Sequence, residues 1–260
     1  MFHSRIIAAD AIATPEAFRH HMRAETGHGY ATFRATLTPR YGQAIGDIAL
    51  GYAALIGLLL WIAQADGIAS GIAAAALGAV GVGYLVAYLQ LFVDAGAHGH
   101  LAADRGINDR LTDWLLCWQT GGSVAAYRAQ GDRSAARDSD ARLRGAAAHA
   151  VIVTVTLMTG AWPVALAWTG GVALVHPYLT TLRDRIARGP ALFGDGLIAR
   201  SFGGAGYNRR LLRALEPQLS YTRLGELEDY LMATSLRPYL DAHRSTLTDA
   251  LARYLRERHA

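Results

Sequence analysis

Charged residues are missing from three long stretches of this chain, and the lengths of those stretches predict its architecture. Asp47 and Asp66 bracket 18 uncharged residues, Ile48 to Ala65, and Asp66 and Asp94 bracket 27 more, Gly67 to Val93. Either run is long enough to cross a bilayer as a helix. A third uncharged run of 38 residues, Gly145 to Leu182, would span the hydrocarbon core nearly twice,. The segment TGAWP, Thr159 to Pro163, lies near its middle and supplies a turn,. The pattern predicts an all-α integral membrane protein with four transmembrane helices in two hairpins.

The polar segments fill in the rest. Residues 1–46 form an N-terminal arm, 47–182 a transmembrane region interrupted by a loop at 94–144, and 183–260 a C-terminal cap, all within one domain. In the arm, Thr14 is an N-cap and Pro15 opens a short surface helix,. In the loop, an apolar stretch interrupted by Gly121 and Gly122 is expected at the membrane interface, with Trp114 and Trp118 at headgroup depth,. In the cap, helical periodicity broken at Pro238 predicts two amphipathic helices,. Small residues between Gly67 and Gly83 would let another helix approach closely, from a partner or from this chain itself,.

Composition agrees with a membrane chain: 52% of the residues are hydrophobic and 28 are glycine. All 25 basic residues are arginine. Five precede the first span, seven lie between Asp94 and Arg144, thirteen follow from Arg183, and neither hairpin tip has one. Basic loops stay cytoplasmic, so both termini and the central loop are expected on the cytoplasmic side, in the cytoplasmic membrane of a bacterium. The opening residues lack a charged start followed by an apolar run, so no cleavable signal is expected,. Lone Cys117 cannot form an intramolecular disulfide,. The arginines are interleaved with acids and no segment reads as a recognition helix, which argues against a nucleic-acid partner.

Chemistry concentrates where the second span ends. Asp94 and His98 are four apart, so on a continuing helix they share one face as a pair of metal ligands would,. The same pair also suits a hydrogen-bonded helix end.

Across about Arg40 to Leu231 the order of features resembles the membrane fatty acid desaturase family. That family has two helical hairpins, a large cytoplasmic face and three histidine boxes. Its first box, His-Glu-x-x-His-Gly followed by Asn-Asp, corresponds here to Asp94, His98, Gly99 and Asn108-Asp109, with Asp94 in one histidine position. Its second box follows an aromatic-Arg pair. Tyr127-Arg128 is present, but Gly131, Ser134 and Ala135 stand where histidines would fall. The RDRIARG stretch looks like another family segment, with Arg188 in the histidine position. The third box keeps Asn208, Pro217, Tyr221, Leu224 and Leu227 in order but carries Arg210, Arg213 and Ala214 for its histidines.

The resemblance implies a lipid-related role and an apolar channel for an acyl or other long apolar chain. It would also imply a di-iron, oxygen-dependent lipid desaturase or hydroxylase, yet most of the imidazole ligands are replaced. Arginine is always protonated and offers only donors, so Arg188, Arg210 and Arg213 near the metal position would repel iron. The expectation is a catalytically disabled relative without the di-iron site, acting as a lipid-binding or partner subunit. The alternatives are an oxidase with an iron site rebuilt around Asp94 and His98, and a structural subunit of a larger membrane complex. Without a metal site, Arg128, Asp184, Arg188, Asn208, Arg210, Arg213 and Glu216 would line a cytoplasmic cavity suited to phosphate or carboxylate. Otherwise they form an arginine–carboxylate network holding the cap together.

Overall fold

The computed structural model describes residues 29–129, 139–186, 192–193, 209–234 and 236–246, with residues 249, 252 and 256. The helix expected after Thr14 lies outside them, as do Arg188 and Asn208. The chain divides into two units, Tyr41–Asp184 and a second made of Met1–Arg40 with Arg185–Ala260. Among the described residues both are helical, apart from one short parallel strand pair in the second.

In chain order, α1 (Tyr30–Thr36) precedes two long apolar helices, α2 (Tyr41–Ala63) and α3 (Ile68–Ala97). The loop region carries α4 (Arg105–Leu115), a 3₁₀ turn at Cys117–Thr120 and α5 (Val124–Arg128). Then come α6 (Ser139–Met158), α7 (Trp162–Gly170), a π turn at Gly171–Val175 and α8 (His176–Ile186). Three helices have the length and composition of membrane spans: Tyr41–Ala63, Ile68–Ala97 and Asp140–Met158. Their solvent-facing positions include Leu50, Leu60, Leu77, Val80, Val155 and Met158. Large apolar side chains exposed along whole helices are what a lipid-facing surface requires.

Why these helices meet follows from their small residues. In lipid there is no hydrophobic drive between helices, so close backbone approach and dispersion must hold them. A Cβ on Gly78 of α3 would stand 2.9 Å from Ile62 Cγ1 and 3.1 Å from Ala167 Cβ, so α2 and α7 both close on that glycine. Further along, a Cβ on Gly83 would stand 2.7 Å from the Gly171 carbonyl oxygen. The small-residue stripe of α3 is therefore filled from within this chain at both positions. The π turn falls at this crossing, and α7 continues through it into α8.

The second unit is built on leucine. Leu211, Leu212, Leu219, Leu224, Leu227, Leu231 and Leu240 are almost completely buried. They belong to α9 (Arg210–Leu215), α10 (Leu224–Met232), α11 (Arg237–His243) and the turn between α9 and α10. The strands β1 (Leu192–Phe193) and β2 (Arg244–Ser245) pair in parallel, Leu192 opposite Arg244. Helical structure lies on both sides of the break near Pro238. The described chain leaves α10 at Met232 and opens α11 with Pro238 in its first turn, where a missing N–H costs nothing.

Candidate functional site

The end of α3 is a built structure. His98 caps the helix, and Gly99, at φ +78°, turns the chain away. The Gly99 N–H donates to the Gly96 carbonyl at 3.0 Å and the His100 N–H to the Ala95 carbonyl at 2.9 Å. Together these two bonds form a Schellman closure, for which a left-handed glycine is the usual residue. The His-Gly-His triplet is thus first of all a helix stop.

Asn108, fully buried on α4, knits that stop to the following helix. Its Nδ2 donates to the Gly96 carbonyl at 2.7 Å, and its Oδ1 accepts from the Leu101 N–H at 3.0 Å. α4 itself starts where Asp104 accepts from the Ile107 N–H at 2.8 Å, a conventional N-cap. It lies close against α3 because Gly96 has no side chain: a Cβ there would be 2.8 Å from Thr112 Cβ.

Arg128 completes the arrangement from α5. Its Nη1 donates to Asp109 Oδ2 at 2.8 Å and its Nη2 to Asp109 Oδ1 at 2.6 Å. Its Nε donates to the Ala97 carbonyl at 2.6 Å, and Nη2 also reaches the Gly96 carbonyl at 3.3 Å. A cation at a helix C-terminus meets the negative end of the dipole and the carbonyls left without helical partners. The hydrogen bond from Arg128 holds the Asp109 carboxyl down, to about 2, against the opposing effect of burial. The same bond pushes the Arg128 guanidinium up.

Asp94 and His98 are together, as their spacing suggested. His98 Nδ1 is 2.8 Å from the Asp94 carbonyl and 3.4 Å from Asp94 Oδ1, and Tyr127 Oη donates to that carboxylate at 3.4 Å. Burial, and secondly the Arg128 charge, push the His98 imidazole down. The rings of His98 and His100 stack with centroids 5.9 Å apart. Among the described residues, no three His, Cys, Asp or Glu side chains converge as metal ligands.

The other named positions fall elsewhere. Asp184 closes the Tyr41–Asp184 unit on α8 and Arg210 opens α9, while their side chains lie outside the described residues. Within the second unit, Arg34 Nε stands 3.6 Å from Glu216. Arg213 sits half-buried on α9, where burial pushes its guanidinium down to about 10. Glu228 accepts from both Arg209 and Arg244 at 2.8 Å, and Glu226 from Arg40 at 2.5 Å and Arg223 at 2.6 Å. These pairs on the α10 glutamates are made by Arg40, Arg209, Arg223 and Arg244, residues other than those expected to line a cavity or form the network.

A second polar cluster inside the Tyr41–Asp184 unit could not be read from the sequence. Trp168 Nε1 donates to His149 Nδ1 at 3.1 Å, and His149 Nε2 lies 3.0 Å from the Gln119 carbonyl. Because Nδ1 accepts, the proton must be on Nε2. Tyr52 Oη accepts from Trp118 Nε1 at 3.2 Å and Gln119 Nε2 at 3.0 Å, and donates to the Leu115 carbonyl. Gln90 Nε2 donates to the Leu116 carbonyl at 2.9 Å. The Trp118 and Trp168 rings are near parallel, 6.3 Å apart. These bonds satisfy carbonyls of Leu115, Leu116 and Gln119, at and just before the 3₁₀ turn, where it packs among α2, α3, α6 and α7,. The chain breaks at Leu116 and the turn brings the half-buried Trp118 indole against Tyr52 and Trp168, while Trp114 is 74% exposed.

What the fold defines is a class, a mostly helical protein with three helices long and apolar enough to cross a membrane, the second of which ends in an arginine-clamped turn. No protein-family model matches the chain, and no curated protein or solved structure is found similar to it.

Proposed function

We propose that this chain is a four-span membrane protein of desaturase-like architecture that acts as a non-catalytic lipid-binding or partner subunit. The fourth crossing is the run from α7 through the π turn into α8, which starts just after the Gly160 turn. Basic segments orient both termini and the central loop to the cytoplasm. One observation carries the reading: Arg128 spans Asp109 and the last carbonyls of α3, at the place where the first box would gather ligands. A guanidinium there brings donors and positive charge to the end of the span, and so supplies by hydrogen bonds the order that a metal would supply by coordination. Asp94 and His98 remain beside it as a hydrogen-bonded pair.

The test is elemental analysis of detergent-purified full-length protein from iron-rich growth, with mass spectrometry of co-purifying lipids and proteins. The expected result is no stoichiometric metal and a retained lipid or a defined protein companion. Two irons per chain, lost in both Asp94→Ala and His98→Ala, would overturn the proposal in favour of a rebuilt oxidative site.

A further inference from the structure

The faces of α4 are inverted relative to those of a helix in water. Its protein-facing side is polar: Asn108 and Thr112 are buried. Its outward side carries Ile107, 53% exposed, and Trp114, 74% exposed, seven residues apart and so on nearly the same meridian,. Arg110 and half-buried Leu111 lie between them on that stripe. A soluble helix would turn Ile107 and Trp114 inward and leave Asn108 in solvent.

The charges sort the same way. Asp104 caps the helix, Asp109 is held by Arg128, and Asp113 accepts from the Val124 N–H at 2.7 Å. All three carboxylates are thus engaged with protein groups. Arg105 and Arg110 are exposed.

Position supplies the occupant. α3 has 30 residues, about 45 Å of helix, longer than the roughly 30 Å hydrocarbon core. Its last turns therefore emerge at the interface, and α4 is tied directly to them through Asn108 and the Gly96 carbonyl.

We infer that α4 is an in-plane interfacial helix whose Ile107–Leu111–Trp114 stripe lies in the bilayer, with Arg105 and Arg110 binding the phosphates of anionic phospholipid. The aromatic–arginine combination suits this depth, since indole favours the headgroup boundary and guanidinium binds phosphate oxygens with paired donors.

The test uses the full chain in lipid nanodiscs in a Cys117→Ala background, with bimane attached at Trp114→Cys or, as a deep reference, at Val80→Cys on α3. Phosphatidylcholines brominated near the headgroup or near the chain end serve as quenchers. The shallow lipid should quench the Trp114→Cys probe more strongly than the deep one, and the order should reverse at Val80→Cys. Brominated phosphatidylglycerol should quench the Trp114→Cys probe more than the phosphatidylcholine form at equal mole fraction. That preference should vanish with Arg105→Gln and Arg110→Gln together. Quenching by aqueous iodide with no response to either brominated lipid would overturn the inference. So would a probe reached by none of the three, which would mean that protein covers the stripe. Equal quenching by the two headgroups would overturn the assignment to anionic lipid.

Discussion

Arg128 grips Asp109 through both terminal nitrogens, at 2.8 and 2.6 Å, while its Nε holds the Ala97 carbonyl at 2.6 Å. One side chain thereby joins three elements, α3, α4 and α5. Arg128→Ala should destabilise the protein by about 2–3 kcal/mol, because it removes the two-pronged guanidinium from a partly buried carboxylate and the Nε donor from the Ala97 carbonyl,. Arg128→Lys should recover less than half of that loss, since an ammonium cannot match the planar fork. Thermal unfolding in detergent measures both, and a lysine variant as stable as the wild type would count against the clamp.

Asp109 adds a pH signature. Its folded pKa, about 2, is depressed below the ordinary carboxylate value. A depressed acid contributes stability that is fully present above its unfolded pKa, near 4, and that is lost as pH falls through the folded one. Stability should accordingly decline between about pH 4 and pH 2 more steeply in the wild type than in Asp109→Asn. Parallel acid-unfolding curves for the two would refute the assignment.

His149 couples the 3₁₀ turn to α7. His149→Ala strands the Trp168 N–H and the Gln119 carbonyl, and should cost about 2–4 kcal/mol, cavity included. Trp168→Phe removes one donor from the same network, so the two changes should be non-additive by about 0.5–1.5 kcal/mol in a double-mutant cycle. Additivity within error would mean that the hydrogen bond between them contributes nothing.

Gly78 tests the crossing of α2, α3 and α7. Gly78→Leu should destabilise by about 1–3 kcal/mol through overpacking. Shortening the facing side chain, Ile62→Ala, should recover part of that loss in the double variant. If Gly78→Leu unfolds at the wild-type temperature, the helices do not meet there.

Cys117 is buried, and burial pushes its thiol up to about 12, with the nearby Asp113 charge adding to the effect. The thiolate is the reactive form, so the folded protein should resist maleimide or iodoacetamide at pH 7.5 and react after denaturation. Rapid labelling of the native protein would show that the 3₁₀ turn opens.

The sequence by itself determined the elements that depend on local composition. Charge-free runs mark the helices long and apolar enough to cross a membrane, since a buried charge is too costly to be tolerated along them. The pairing of Asp94 with His98 followed from a spacing of four. Only the tertiary structure decided what these residues do. Gly99 closes α3 through local bonds, but the Gly96 and Ala97 carbonyls also take donors from Asn108 and Arg128, which only folding brings to them. His149 gave no signal, because an isolated histidine in an apolar run acquires its role from Trp168 and Gln119. Hydrophobic pattern also fails to separate Trp114 from Trp118. Lipid-facing and core-facing positions are equally apolar in a membrane chain, so only packing tells that the Trp114 indole is exposed and the Trp118 indole packs against Trp168.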